Sequence, residues 1–183
     1  NAIPRDANAI FTIHEEHDAG IEEFFQKYRD DITLELKDYE PDIQLTLERT
    51  AMPANVITWK KQLGFLQAIS DCPHGVINWS PTIEGLVETS TNLASVKFLD
   101  GQHAVVTTSQ RSSVETAKTE IADKIGSCLK SGGGEIQHSD GYPGWTPDPN
   151  SEILNITRQA YVDLFGQEPV VRAIHAGLEC GLI

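Results

Sequence analysis

Basic residues are scarce in this chain of 183 residues: Lys and Arg together number 14 against 27 Asp and Glu, for a net charge of −13. Binding that tracks nucleic-acid phosphates needs a basic stripe, so nucleic acid is a poor partner for it. No apolar run approaches the roughly 20 residues that cross a bilayer, which predicts a soluble chain and no membrane partner. Cysteines are also few. Cys72, Cys128 and Cys180 stand too far apart for CxxC metal or redox motifs, and their odd number argues against a disulfide framework. A reducing compartment is the expectation. There is no GxSxG elbow, and Gly132–Gly134 lacks the Lys and Ser or Thr that follow in a phosphate-binding loop. That glycine run reads as a helix terminator. In His14-Glu15-Glu16-His17 the histidines lie three apart, where a zinc-protease helix needs four. The other histidines, His74, His103, His138 and His175, are scattered, and no complete metal site is visible.

The hydrophobic share is 39%, low but arranged in periodic segments, and the length allows one domain or one domain plus a piece of another. A strand is expected over Ala9–Ile13. A helix capped by Asp18 follows, burying Ile21, Phe24, Phe25, Tyr28, Ile32 and Leu36. The alternation of Ile43, Leu45 and Leu47 with polar neighbours predicts a strand with one face in a core. A second helix over about 55–70 should bury Val56, Trp59, Leu63 and Leu66, and the Pro- and Gly-bearing stretch 72–81 reads as loop. Val87–Leu99 and Ala104–Ser109 are expected as strands joined at Asp100-Gly101, a dipeptide suited to a tight hairpin. Ser112 and Glu115 have capping-box spacing before a third helix that buries Val114, Ala117, Ile121, Ile125 and Cys128. Glu135–His138 returns as a short strand. The expected class is α+β, with helices on one face of an antiparallel sheet and ferredoxin-like elements.

Residues 139–150, rich in Gly and Pro, form the best linker candidate. A fresh helix with Ile153, Ile156, Ala160, Leu164 and Phe165 and a strand over Val170–Ile174 then begin what reads as a second, truncated α/β domain, because one helix and one strand cannot close a core. The chain opens at Asn1 and stops at Gly181-Leu182-Ile183, ends that read as those of an excised segment. Two positions stand out chemically. Arg111 falls between a strand and a helix, from where a guanidinium can pair with a carboxylate, although most arginines are simply solvated. Gly177 lies in a turn that offers backbone N–H groups to an anion or that only needs glycine for its φ angles.

Four strings now suggest a family: Asn1-Ala2-Ile3-Pro4-Arg5-Asp6-Ala7, Val87-Glu88-Thr89-Ser90-Thr91-Asn92, Tyr142-Pro143-Gly144-Trp145, and above all Ile174-His175-Ala176-Gly177-Leu178-Glu179-Cys180-Gly181-Leu182. In order and from end to end, the chain resembles the aminoacyl-histidine dipeptidases, within the superfamily of co-catalytic zinc aminoacylases, carboxypeptidases and dipeptidases. The resemblance implies a two-domain cytoplasmic enzyme: a catalytic domain with two zinc ions and an inserted lid that also dimerises. Residues 1–140 would be lid and 141–183 the start of the return into the catalytic domain. The metal ligands and the general base would lie outside this chain, so no metal or catalytic residue is expected within it and the segment alone should be inactive. The resemblance also implies that Arg111 clamps the carboxylate of an Xaa-His dipeptide, that Asn1 bonds the oxyanion region, that Gly177 lines the substrate turn and that Asn92 makes a lesser polar contact. The rival reading is a stand-alone acidic α+β binding or dimerisation module without catalysis.

Overall fold

A computed structural model describes residues 5–99 and 103–175. Asn1, Gly177 and the Asp100-Gly101 turn lie outside the described residues. The chain divides into two compact units, one over 6–56 and one carrying 57 onward.

The first unit is built on α1 (Asp18–Leu36), entered through a 3₁₀ turn at Glu15–His17, so that Asp18 is the first helical residue and not the cap. Ile21, Phe25, Ile32 and Leu36 are half-buried, as are Ile43, Leu45 and Leu47 of the extended segment that follows. That segment runs back along the helix, because Arg49 meets Asp18, and Glu22 at 3.5 Å, near the helix start. Neither expected strand forms here. Residues 9–13 and 43–47 form no regular element, and alternation becomes a strand only where a neighbour takes its N–H and C=O groups. Phe24 and Tyr28, expected in the core, stack on each other in the open, with ring centroids 6.3 Å apart.

In the second unit, β1 (Gly75–Trp79), β2 (Val87–Phe98) and β3 (Ala104–Ser112) form an antiparallel sheet in the order β1-β2-β3. β1 occupies the stretch read as loop: Gly75 takes φ +89° and starts a strand that the flanking prolines do not interrupt. Helices α2 (Trp59–Asp71) and α3 (Glu115–Ser131) pack together and α3 packs on the sheet. The α3 face is as expected, with Ile121 and Ile125 fully buried. The α2 face is not. Trp59, Leu63 and Leu66 are exposed, and Gly64, Phe65, Ala68 and Ile69 face inward instead. The reason is how closely the helices approach: a Cβ on Gly132 would lie 2.6 Å from the Ala68 Cβ and 2.9 Å from the Gly64 carbonyl oxygen. Only small α2 residues fit that seam.

Gly133 (φ +86°) ends α3 in a Schellman motif, with Gly134 N–H donating to the Leu129 carbonyl at 3.0 Å and Gly133 N–H to that of Lys130 at 2.9 Å. Glu135–His138 forms no strand; Ile136 instead lies over Gly126 of α3. α4 (Glu152–Phe165) forms as expected, but its apolar residues Ile153, Ile156, Leu164 and Phe165 stay exposed, since it packs on no other helix or strand among the described residues. Val170–Ile174, expected as a strand, forms no regular element. The result is an α+β fold, an antiparallel sheet with helices, as the sequence predicts.

Candidate functional site

Side chains alternate across a strand, so the pairing register sorts the sheet into two faces. Thr89 pairs with Ser112 and Thr91 with Gln110; both threonines are fully buried. Leu93, Val96 and Phe98 continue this face, because Ala94 is an extra residue on β2 that flips the alternation past it. The Phe98 ring lies 5.7 Å from that of Phe65 on α2, which marks this as the helix-covered face. Its buried hydroxyls are paired, Thr89 Oγ1 with Ser112 Oγ at 2.8 Å and Thr91 Oγ1 accepting from Gln110 Nε2 at 3.4 Å.

The opposite face is polar. Ser90 stands directly across from Arg111, and Asn92 across from Ser109, all half-buried. The structure therefore brings Arg111 and Asn92 to one face, two residue pairs apart along the hairpin. β3 runs three residues beyond its expected end, making Arg111 its penultimate residue. The junction that follows is held from outside. Glu115 accepts from the Gly144 N–H at 2.9 Å and pairs with Lys118 at 2.7 Å, and Lys118 Nζ donates to the Tyr142 carbonyl at 2.7 Å. These contacts replace the expected capping box: Val114 is the cap residue, Ser112 Oγ accepts from the Val114 N–H at 3.0 Å, and the Glu115 carboxyl, turned outward, is held below its usual range first by Lys118 and then by the Gly144 N–H. A Cβ on Gly144 would lie 2.9 Å from the Ser112 carbonyl oxygen, so only glycine allows the Tyr142–Trp145 string this close to the end of β3.

The sequence reading overlooked His175 and Ser90 as partners. His175 Nε2 lies 2.8 Å from Ser90 Oγ across 85 residues of sequence. No spacing rule joins them; the only signal is that His175 belongs to the His-Ala-Gly string and Ser90 to the Val87–Asn92 string. Burial and then the Arg111 guanidinium push the His175 pKa down, while a backbone hydrogen bond at Val87 works the other way. Elsewhere, His74 Nδ1 accepts from the Leu93 N–H at 3.1 Å, and the His14 and His17 rings meet edge to face at 6.5 Å. An open hollow in the first unit, between residues 12–14 and 52–56, has His14 as the one titratable side chain in its lining. Among the described residues no three His, Cys, Asp or Glu side chains are grouped to hold a metal ion. No described helix is long and apolar enough to cross a membrane.

No family model matches the chain. The cytosol non-specific dipeptidase of Escherichia coli (strain K12) is 31% identical over 185 residues, covering all of this chain and 37% of that protein. The crystal structure of the aminoacylhistidine dipeptidase from Vibrio alginolyticus superposes with a TM-score of 0.84 at 35% identity, covering 91% of this chain and 34% of that one. The chain thus spans little more than a third of the length of these proteins. Similar in sequence from end to end and in fold over nearly all of its length, the chain is a relative of the aminoacyl-histidine dipeptidases, matching about a third of them.

Proposed function

We propose that this chain is the lid (1–140) and the first part of the catalytic return (141–183) of a cytoplasmic, zinc-dependent, dimeric dipeptidase that hydrolyses Xaa-His dipeptides. The observation that carries the reading is the polar face of the sheet opposite the helix-covered one, which brings Arg111, Ser90 and Asn92 together on a fold that matches a dipeptidase. A dipeptidase, unlike an endopeptidase, must recognise a free carboxylate close to the scissile bond, and a planar guanidinium with two parallel N–H donors is the side chain best matched to it. In this reading Arg111 binds that carboxylate, Asn92 adds a polar contact beside it, and Asn1 and Gly177 contribute to the oxyanion region and the substrate turn. Zinc, held by ligands outside this chain, would activate water when bound. The segment alone is inactive and should not bind zinc tightly.

The test uses the longer enzyme with Xaa-His dipeptides as substrates. A charge-assisted hydrogen bond is worth about 1.5 to 3 kcal/mol, so Arg111→Ala should lower kcat/KM at least about tenfold. Arg111→Lys should recover little, because a point charge lacks the paired geometry. If the clamp also helps place the scissile carbonyl, kcat falls as well as affinity. Wild-type efficiency in Arg111→Ala would remove the residue from the site, and absence of Xaa-His hydrolysis in the parent would remove the reading.

A further inference from the structure

The His175 ring fills a position that the clamp alone does not require. It arrives from the segment after α4, and its Nε2 lies 2.8 Å from Ser90 Oγ, the residue directly across the hairpin from Arg111. The ring's other bond is to the Val87 backbone and favours the protonated ring, so the Val87 carbonyl accepts there and the ring donates. With Nε2 engaged by Ser90, the donor is Nδ1–H. A neutral imidazole has one N–H, hence Nε2 carries the lone pair and the Ser90 hydroxyl donates to it. In this state Ser90 has no proton to offer a ligand beside Arg111.

We propose that Ser90 and His175 form with Arg111 a single carboxylate subsite, in which a bound carboxylate is accompanied by protonation of His175 and turns the Ser90 hydroxyl from the imidazole toward the ligand. This rests on the reading above that Arg111 meets a substrate carboxylate. Among the described residues the charge acting on the ring is Arg111, from β3, while β2 supplies the Ser90 hydroxyl and the Val87 carbonyl. Arg111 and burial together disfavour the imidazolium in the free chain. A carboxylate on Arg111 offsets that repulsion and adds its own attraction, so the ring takes a proton from solvent at Nε2. The new Nε2–H then donates to Ser90 Oγ, and the freed Ser90 O–H donates to the carboxylate. A proton leaves solvent and forms the Nε2–H bond, every other change is an exchange of hydrogen bonds, and proton uptake accompanies the ligand where the pH lies between the free and the bound midpoints of the ring. Chloride, without two acceptor atoms in a plane, cannot use both the fork and the hydroxyl.

The experiment follows the His175 ring by nitrogen-resolved NMR in the 183-residue chain, with N-acetyl-L-histidine as the carboxylate probe. Expected are the Nδ1–H tautomer in the free chain and a titration midpoint that saturating probe raises by about 0.5 unit or more. Ser90→Thr should keep the response and Ser90→Ala should reduce it, a contrast that a merely structural hydroxyl would not produce. Arg111→Gln should raise the midpoint of the free chain and abolish the response to the probe. A midpoint unmoved by the probe, an equal shift in Arg111→Gln, or an Nε2–H tautomer in the free chain overturns the subsite. Each of these results is independent of hydrolysis by the parent enzyme, so failure of the subsite and failure of the dipeptidase reading are distinguishable.

Discussion

Segments 6–56 and 57–175 are written with the same devices, amphipathic helices and alternating apolar residues, yet they bury them to very different extents. All of the fully buried residues among those described, Ala68, Thr89, Thr91, Ile121, Ile125 and Gly126, belong to the second segment. The first has a helix and an extended segment lying along it, and its apolar side chains are at best half-buried. What separates them is the hairpin: β2 and β3 satisfy each other's backbone over nine residue pairs, and this gives α3 a surface to cover. Periodicity states which face of an element is apolar; only a neighbour turns that face into a core.

The largest expected effect is in amide hydrogen exchange. Amides of residues 44–48 lack a strand ladder and should exchange at least about a thousandfold faster than those at the centres of β2 and β3, the spread expected between locally open and globally protected positions. Mass spectrometry of peptides from both segments measures it. Equal protection would mean that the first segment finds a partner of its own, and the comparison between the segments would fail.

Next come paired truncations. Ile125 is 3% exposed and Phe24 is 65% exposed. Ile125→Ala should destabilise by about 2 to 5 kcal/mol through lost burial and a residual cavity, whereas Phe24→Ala should stay within about 0.5 kcal/mol, as surface changes do. Urea unfolding of both variants measures the contrast, and similar losses would place Phe24 in a core. Glycines sharpen the same comparison with smaller effects. Gly132→Ala places a methyl in the α2–α3 seam and should cost about 1 to 3 kcal/mol unless the helices separate. Gly20→Ala, in α1 with open space around it, should stabilise by roughly 0.4 to 1 kcal/mol.

The hairpin, α3, α4 and the α+β class were legible because each is specified locally: β-prone runs on both sides of the turn dipeptide Asp100-Gly101, a clean helical stripe from Ala117 to Cys128, and glycines at the ends of both helices. The inward face of α2 was not legible, since Trp59, Leu63 and Leu66 make the more apolar stripe and only the approach of Gly132 to Gly64 and Ala68 decides against it. The strands expected at 9–13 and 43–47 failed because pairing is a property of two segments and a period belongs to one. At the candidate site, Arg111 could be named from its place between a strand and a helix, and Asn92 from the Val87–Asn92 string. The bond between Ser90 and His175 could not, because it closes over 85 residues and depends on where the chain after α4 is led.

The smallest expected effect tests that last contact through stability. His175 is held below its ordinary value of 6.5 by burial and by Arg111, so its folded pKa lies under its unfolded one. The unfolded chain then binds more protons as pH falls through this window, and stability falls with it. The loss begins near pH 6.5 and is complete once the pH passes below the folded value. The opposite sign would hold only if the folded ring were the stronger base. Glu115 also has a depressed pKa, but its window lies below its ordinary 4.5 and does not overlap the start of the histidine window. His175→Gln keeps a side chain able to hydrogen-bond to Ser90 but cannot titrate. The urea midpoint of the wild type should therefore drop more steeply than that of His175→Gln between pH 7.5 and 5.5. Parallel lines across that interval would show that the ring does not sit against Arg111 in solution, and would detach the segment after α4 from the polar face of the sheet.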